Sequence, residues 1–142
     1  MKKLLITALL SFTAASSALA GPASDAAKAH FSAVASHDTD GIMKGYAANA
    51  VLEWVGGPLD GRYSSNEAIR STWEKFGKAV GPLELKIDKL EESANPKGST
   101  VTANVMFVGK MPIKVRYVLT YREGALVDEI WQIDPKLELS SY

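Results

Sequence analysis

Four side chains in this 142-residue sequence have the chemistry of general acid–base catalysis. His30, Glu53 and Asp128 can each accept a proton, and Tyr117 can donate a hydrogen bond to an oxygen that gains negative charge. A carboxylate becomes an effective base inside an apolar pocket, because burial raises its pKa. These residues predict a cofactor-free isomerase, dehydratase or cyclase, provided that the fold brings one base into a pocket beside the tyrosine.

The same residues also have simpler interpretations. His30 fits the surface of a helix or a partly buried position, and Tyr117 is of a type that commonly packs within strands. His37 is expected in a solvated turn. The two histidines have no acidic cluster beside them, so no metal site is expected. The sequence also lacks a glycine-rich phosphate loop, a G-x-S-x-G turn and an H-E-x-x-H motif, so it does not support phosphoryl transfer, hydrolysis by a covalent nucleophile or metalloprotease chemistry. We predict no cofactor, because nucleotide-linked cofactors are scarce outside the cytoplasm and the N-terminus predicts export.

Aromatic side chains predict a different activity, the binding of a small apolar or aromatic molecule. Three tryptophans in so short a chain suit a pocket for a flat ligand, although core packing explains most of the aromatic residues. The predicted ligand-binding residues are Tyr46, Trp54, Trp73, Tyr117 and Trp131.

Strand alternation decides which of two neighbouring candidates faces a pocket. Glu53 and Trp54 are adjacent, so they point to opposite faces. Leu52 shares a face with Trp54 and makes that face the more apolar one, so Trp54 is predicted to point inward. Asp128 and Glu129 alternate in the same way. As ionised groups both are expected in solvent, unless a bulge shifts the phase and brings one acid inside.

The helices that would position these residues come first in the chain. A helix starts at Ser24-Asp25, which resembles an N-cap, and breaks at residues 37–41. A second, short helix carries its apolar side through Tyr46, before a brief strand over 51–55. A third helix opens at a capping box formed by Ser64 and Glu67.

Long strands follow the helices. After Pro82 the hydrophobic period changes from 3.6 to 2, with a break at Lys89-Leu90 that indicates a bulge. Further strands run through residues 101–108, 113–122 and 126–133. Helices followed by sequential strands predict an α+β fold, in which about three helices pack on a curved antiparallel sheet of five or six strands. Such a sheet is cone-shaped and can hold a pocket.

Ordered sequence features then link the chain to a known family. They are Tyr46-Ala47-x-x-Ala50-Val51, Gly61-Arg62 before Glu67-Ala68-Ile69-Arg70, and Tyr121-Arg122-Glu123-Gly124-Ala125-Leu126-Val127 with Trp131 after it. With these features, the chain resembles the SnoaL-like branch of the nuclear transport factor 2-like superfamily over residues 21–142. The resemblance implies a cone-shaped α+β barrel with a pocket, commonly a homodimer packed through its sheet. It also implies either an enzyme of the ketosteroid-isomerase or polyketide-cyclase kind or a member without known activity, so it does not decide the function.

The first 20 residues predict export. Met1-Lys2-Lys3 is a positive start, residues 4–17 carry no charge, and Ala18-Leu19-Ala20 fits the A-x-A cleavage pattern. Cleavage would leave one domain, residues 21–142, with 14 basic and 16 acidic side chains and therefore a net charge of −2. No membrane span and no nucleic-acid partner are expected of that domain. A bacterial periplasm or the extracellular medium is the predicted location.

Three hypotheses therefore remain open. The leading one is an exported binding domain with an apolar, aromatic-lined pocket. The second is the acid–base enzyme, which requires an ionisable group inside the cone near a tyrosine. The third is a dimeric interaction module whose cone is only a filled core.

Overall fold

The computed structural model describes residues 21–140, so the predicted signal peptide, residues 1–20, lies outside the described residues. The elements follow in the order α1 (Pro22–Ser36), α2 (Thr39–Lys44), β1 (Tyr46–Val55), β2 (Gly61–Tyr63), α3 (Asn66–Val80), β3 (Glu84–Asn95), β4 (Gly98–Val108), β5 (Pro112–Arg122) and β6 (Ala125–Ile133). None of the described helices is long and apolar enough to cross a membrane.

The six strands form one curved sheet in the order β2-β1-β6-β5-β4-β3, with three helices packed on it. The predicted α+β fold is therefore confirmed. One pair departs from the expected antiparallel pattern, because β1 runs parallel to β6. These two strands lie far apart in sequence, so no hairpin forces them to be antiparallel.

Three predicted element boundaries are wrong. Helix α1 has Gly21 as its N-cap instead of Ser24, and α3 is capped by Ser65, whose hydroxyl accepts the backbone N–H of Ala68 at 3.1 Å, instead of by Ser64. Tyr46 begins a ten-residue strand instead of ending the second helix. Local patterning misplaced Tyr46 because the start of β1 is held by pairing with Leu126 of β6, which is a long-range contact.

The core lies between the helices and the concave face of the sheet. Alternation along β4 and β5 is confirmed, since the residues predicted to share an inner face are buried, among them Val105, Phe107, Val115 and Leu119. Helix α1 adds an inner stripe at helical spacing: Ala27, His30, Phe31 and Val34.

Two bulges shape the antiparallel part of the sheet. The predicted one in β3 is confirmed, with a register shift between Asp88 and Glu91 and a positive φ of 50° at Lys89. A second lies in β6, where Thr120 pairs with Asp128 but Tyr121 pairs with Leu126. One residue of β6 is thus unmatched, and Leu126 and Glu129 both point into the core.

Candidate functional site

A buried carboxylate, Glu129, lies at the centre of the candidate site. Its side chain is fully buried on the inner face of β6. Oε2 lies 2.7 Å from Nε2 of His30, and Oε1 accepts a hydrogen bond from the hydroxyl of Tyr46. Trp73 donates its indole N–H to the Tyr46 oxygen at 2.9 Å. We call these four residues the Glu129 cluster.

Four elements converge to build this cluster. His30 belongs to the inner stripe of α1 and is 6% exposed, Tyr46 is the first residue of β1, and Trp73 lies on the buried face of α3. His30 and Glu129 are 99 residues apart in sequence, so only the packing of α1 on the sheet brings them together.

The tyrosines near Glu129 are held in their protonated form. Burial raises the pKa of Tyr46 well above its ordinary value, and the Glu129 carboxylate raises it further. The same two causes, burial first, raise the pKa values of Tyr117 and Tyr121. All three hydroxyls are therefore hydrogen-bond donors at neutral pH.

Within residues 21–140, several buried hydrogen-bond donors, from tyrosines and tryptophans, have no acceptor. Among the described residues, the hydroxyls of Tyr117 and Tyr121 and the indole N–H groups of Trp54 and Trp131 are buried without a hydrogen-bond partner. A buried unpaired donor costs about 1–3 kcal/mol. The interior thus holds more donors than acceptors, and a ligand or water with acceptor oxygens would satisfy them.

The predicted acids do not enter the cone. Glu53 lies on the outer face of β1, where it accepts a hydrogen bond from the Arg62 guanidinium, and Asp128 is exposed on β6. Trp54 is buried on the inner face, as predicted. The acid inside the cone is Glu129, which was expected in solvent. Its signal in the sequence was its parity with Trp131, two residues on and also inward.

His37 lies in the turn after α1, as predicted, but it is not fully solvated. It is the left-handed C-cap of α1, with φ 56°, and is only partly exposed. Its Nε2 atom is hydrogen-bonded to the backbone carbonyl of Gly81, at the end of α3. His37 therefore ties the ends of two helices together and lies outside the Glu129 cluster.

The five predicted ligand-binding aromatics do come together. Trp54 stacks on Trp131 with ring centroids 4.4 Å apart, and Trp73 lies 5.2 Å from Trp54 and 5.4 Å from Trp131. Tyr117 packs edge to face on Trp131 with ring centroids 5.4 Å apart, and Tyr46 contacts the group through its hydrogen bond with Trp73. They pack mainly against one another, so much of the cone is filled by their rings.

One large cavity remains beside this aromatic core. It has a volume of about 720 Å³ and lies between α3 and the ends of β1, β5 and β6. Its walls are apolar, and of the five predicted residues only Trp54 borders it. Other wall residues include Leu59, Phe76, Val80, Ile113 and Ile133, and the ammonium-bearing side chains of Lys75 and Lys114 also line it. We call it the α3 cavity.

A second cavity reaches the Glu129 cluster from the other side. It has a volume of about 580 Å³ and follows the small residues of α1, including Ala26, Ala29 and Ala33. His30 and Tyr121 also line it. We call it the α1 cavity. His30 therefore stands between the α1 cavity and the buried carboxylate.

The donor set of the described residues suits no metal ion, since no group of three or more His, Asp or Glu side chains is close enough to hold one. The arrangement instead suits ligand burial at the α3 cavity and proton exchange at His30.

Residues 27–128 match the family model of the SnoaL-like domain. The chain belongs to this family. No curated protein shows significant similarity to the chain.

Several solved structures share the fold at low sequence identity. A cystatin-like-fold protein of unknown function from Nostoc punctiforme has a TM-score of 0.67 at 13% identity, covering 80% of this chain and 89% of that one. An NTF2-like protein of unknown function from Pseudomonas putida has a TM-score of 0.66 at 20% identity, with 79% and 85% covered. An LEH-like epoxide hydrolase of M. tuberculosis has a TM-score of 0.60 at 16% identity, with 80% and 83% covered. These similarities establish the fold and leave the activity to the site.

Proposed function

We propose that this SnoaL-like domain binds a small, largely apolar molecule in the α3 cavity. The observation that carries the proposal is the cavity itself, about 720 Å³ of apolar space with the Trp54 ring as one wall. Ligand pockets in proteins have volumes of about 300–1,000 Å³ and are mostly apolar with a few polar groups.

The walls define the ligand class. Trp54 and Phe76 offer ring surfaces for stacking, and Leu59, Ile113 and Ile133 surround an apolar body. Lys75 and Lys114 favour an acidic group over a basic one at the polar part of the cavity. An aromatic or alicyclic molecule with one carboxylate or sulfonate fits this description.

A fluorescence titration tests the proposal. The probe is 1-anilinonaphthalene-8-sulfonate, which combines fused and single rings with an anionic group. The variant Ala79→Met places a larger side chain into the α3 cavity, and Lys78→Met puts the same side chain on the same helix outside it. We expect Ala79→Met to weaken binding at least tenfold and Lys78→Met to leave it unchanged. Equal affinities for the two variants would refute the α3 cavity as the site.

A second candidate function is proton-transfer catalysis in the α1 cavity. The observation that favours it is the His30–Glu129 pair, because the enzyme hypothesis required an ionisable group inside the cone near a tyrosine. A carboxylate only accepts hydrogen bonds, so the His30 nitrogen that faces it, Nε2, carries a proton. Nδ1 is then the nitrogen left to accept a proton, and His30 is a lining residue of the α1 cavity.

In that reaction His30 is the catalytic residue and Glu129 is a positioning residue. Nδ1 takes a proton from the carbon next to a substrate carbonyl, and the C–H electron pair moves to form an enolate. Tyr117, the predicted donor, does not line this cavity, so Tyr121, which does, is proposed to donate the hydrogen bond to the enolate oxygen. When the substrate carries a C=C bond conjugated to the enolate, the imidazolium returns the proton to the far carbon of that bond, which shifts the double bond and completes an isomerisation without a cofactor.

Deprotonation of 5-nitrobenzisoxazole, a general substrate for protein bases, tests this candidate. We expect turnover that His30→Gln abolishes and that Glu129→Gln lowers while shifting its pH profile. Ala79→Met should leave the turnover unchanged, because it changes only the α3 cavity. Turnover that survives His30→Gln would exclude His30 as the base.

For the whole chain we propose export to a bacterial periplasm or the medium, with cleavage after Ala20. The support is the pattern of Met1–Ala20. Fractionation of bacteria that express the full chain tests it. Recovery in the periplasmic or extracellular fraction is expected, and recovery in the cytoplasm alone would refute it.

We also propose that two copies pair through the outer face of the sheet, which is the form an interaction module would take. Val55 and Ile130 are exposed there at 43% and 38%, on the neighbouring strands β1 and β6. Light scattering after size-exclusion chromatography should give twice the chain mass. Ile130→Lys should give the monomer mass, and a wild-type monomer would contradict the proposal.

A further inference from the structure

Helix α1 begins without a capping side chain of its own. Its N-cap is Gly21, which has no side chain that could accept a hydrogen bond from the first turn. The first residue inside the helix is Pro22, and Ser24 lies in the first turn. The N–H groups of a first turn have no partner within the helix, so this end needs an acceptor from elsewhere.

Glu92 of strand β3 supplies that acceptor. Its Oε1 atom accepts the backbone N–H of Ser24 at 2.7 Å, across 68 residues of sequence. The same carboxylate lies directly against Gly21, where a Cβ atom would overlap with it. The backbone of Gly21, with φ −90° and ψ 165°, is open to any residue. A larger residue at this position would have to displace the Glu92 carboxylate, so glycine is what lets the carboxylate lie this close to the backbone.

Gly21 is also the residue after the predicted cleavage site, Ala18-Leu19-Ala20. Hydrolysis of the Ala20–Gly21 peptide bond by a signal peptidase consumes one water. Ala20 leaves with the new carboxylate, and Gly21 gains an amine that takes up a proton at neutral pH. This ammonium is bonded to the Cα atom against which the Glu92 carboxylate packs.

We infer that the Glu92 carboxylate binds the mature N-terminus, so that signal-peptide removal creates an ion pair between the Gly21 ammonium and Glu92. The precursor carries an uncharged amide at this position and lacks the pair. Processing would thus stabilise the junction of α1 with β3 only in the exported form. The inference rests on the export proposed above.

The first test compares two forms of residues 21–142, which contain every described element. One form has a free Gly21 amine and the other is N-acetylated. Each is made as wild type, Glu92→Gln and Glu91→Gln. Glu91 is the matched control, because it is exposed and its side chain leaves the other face of β3. Acetylation should lower Tm by about 2–5 °C in wild type and Glu91→Gln, and by much less in Glu92→Gln.

An acetylation effect of the same size in wild type and Glu92→Gln would overturn the ion pair. N-terminal sequencing of the protein exported from the full chain is the second test. A start at Gly21 supports the inference, and a start at another residue overturns it. Retention of Met1 would refute export itself, whereas a Gly21 start without the Tm difference would refute only the role of Glu92.

Discussion

The α1 cavity and the α3 cavity differ in the polar groups that line them. The α1 cavity ends at His30, beside a carboxylate whose two oxygens are both hydrogen-bonded. The α3 cavity ends at Trp54, whose indole N–H has no partner among the described residues. One side of the cone therefore holds groups that can exchange protons, and the other offers apolar volume. The two proposed functions therefore occupy separate regions of one SnoaL-like fold, and variants can separate them.

The largest expected effect lies at the centre of the Glu129 cluster. Glu129→Ala leaves a cavity and removes the acceptor of both His30 and Tyr46, so we expect a loss of about 3–5 kcal/mol in unfolding free energy. Urea denaturation measures it. Asp128→Ala on the outer face of the same strand is the control and should change stability by less than about 0.5 kcal/mol. Similar losses for the two variants would contradict the burial of Glu129.

The next largest loss of stability is expected at Tyr46, whose hydroxyl is hydrogen-bonded, and not at Tyr117. Tyr46→Phe leaves a Glu129 oxygen and the Trp73 N–H without partners, so it should cost about 1–3 kcal/mol. Tyr117→Phe removes a hydroxyl that has no partner in the described part of the chain, so it should be neutral or slightly stabilising. Thermal unfolding of the two variants is the measurement. Comparable destabilisation would mean that Tyr117 binds an acceptor such as water.

The raised tyrosine pKa values predict a further effect, which depends on pH. Above pH 10, the ordinary pKa, an unfolded chain loses tyrosine protons that the folded chain keeps. These tyrosines therefore leave the free energy of unfolding unchanged below pH 10. Above pH 10 they lower it as the pH rises, by up to about 1.4 kcal/mol per pH unit for each tyrosine. Urea midpoints between pH 8 and 11 measure this fall. Tyr117→Phe should make it shallower, and an unchanged slope would argue against the burial of that hydroxyl.

The smallest effect is expected outside the cone. The Glu53–Arg62 ion pair lies on the outer face, where solvent screens it, so Glu53→Gln should cost less than about 1 kcal/mol. It should also leave probe binding and 5-nitrobenzisoxazole turnover unchanged. Loss of probe binding or of turnover would show that Glu53 has a role in function.

Much of the fold could be predicted from the sequence because the period of hydrophobic residues is a local property. Alternation in residues 101–107 and 113–121 identified the inner faces of β4 and β5. The break at Lys89-Leu90 revealed a bulge, because that residue pair interrupts a clear period. The same alternation placed Trp54 inside, since Leu52 and Trp54 are both apolar.

The candidate site could be predicted only in part. The sequence predicts His30, Glu53 or Asp128 as the base; of these only His30 is buried in the cone, and the acid beside it is Glu129. The rule that ionised groups face solvent was applied to Glu129, although its parity with Trp131 pointed inward. A buried acid overrides that rule only when partners such as His30 and Tyr46 are present, and neither is near Glu129 in sequence.

The sequence by itself determined the order of helices and strands, the inner faces of the central strands and the family. Only the tertiary structure decided that His30, Tyr46 and Glu129 meet, that β1 runs parallel to β6, and that the free volume lies at Trp54 and along α1. The physical reason is range. Periodicity follows from the geometry of neighbouring residues, whereas partners and cavities depend on the register and packing of elements up to 99 residues apart.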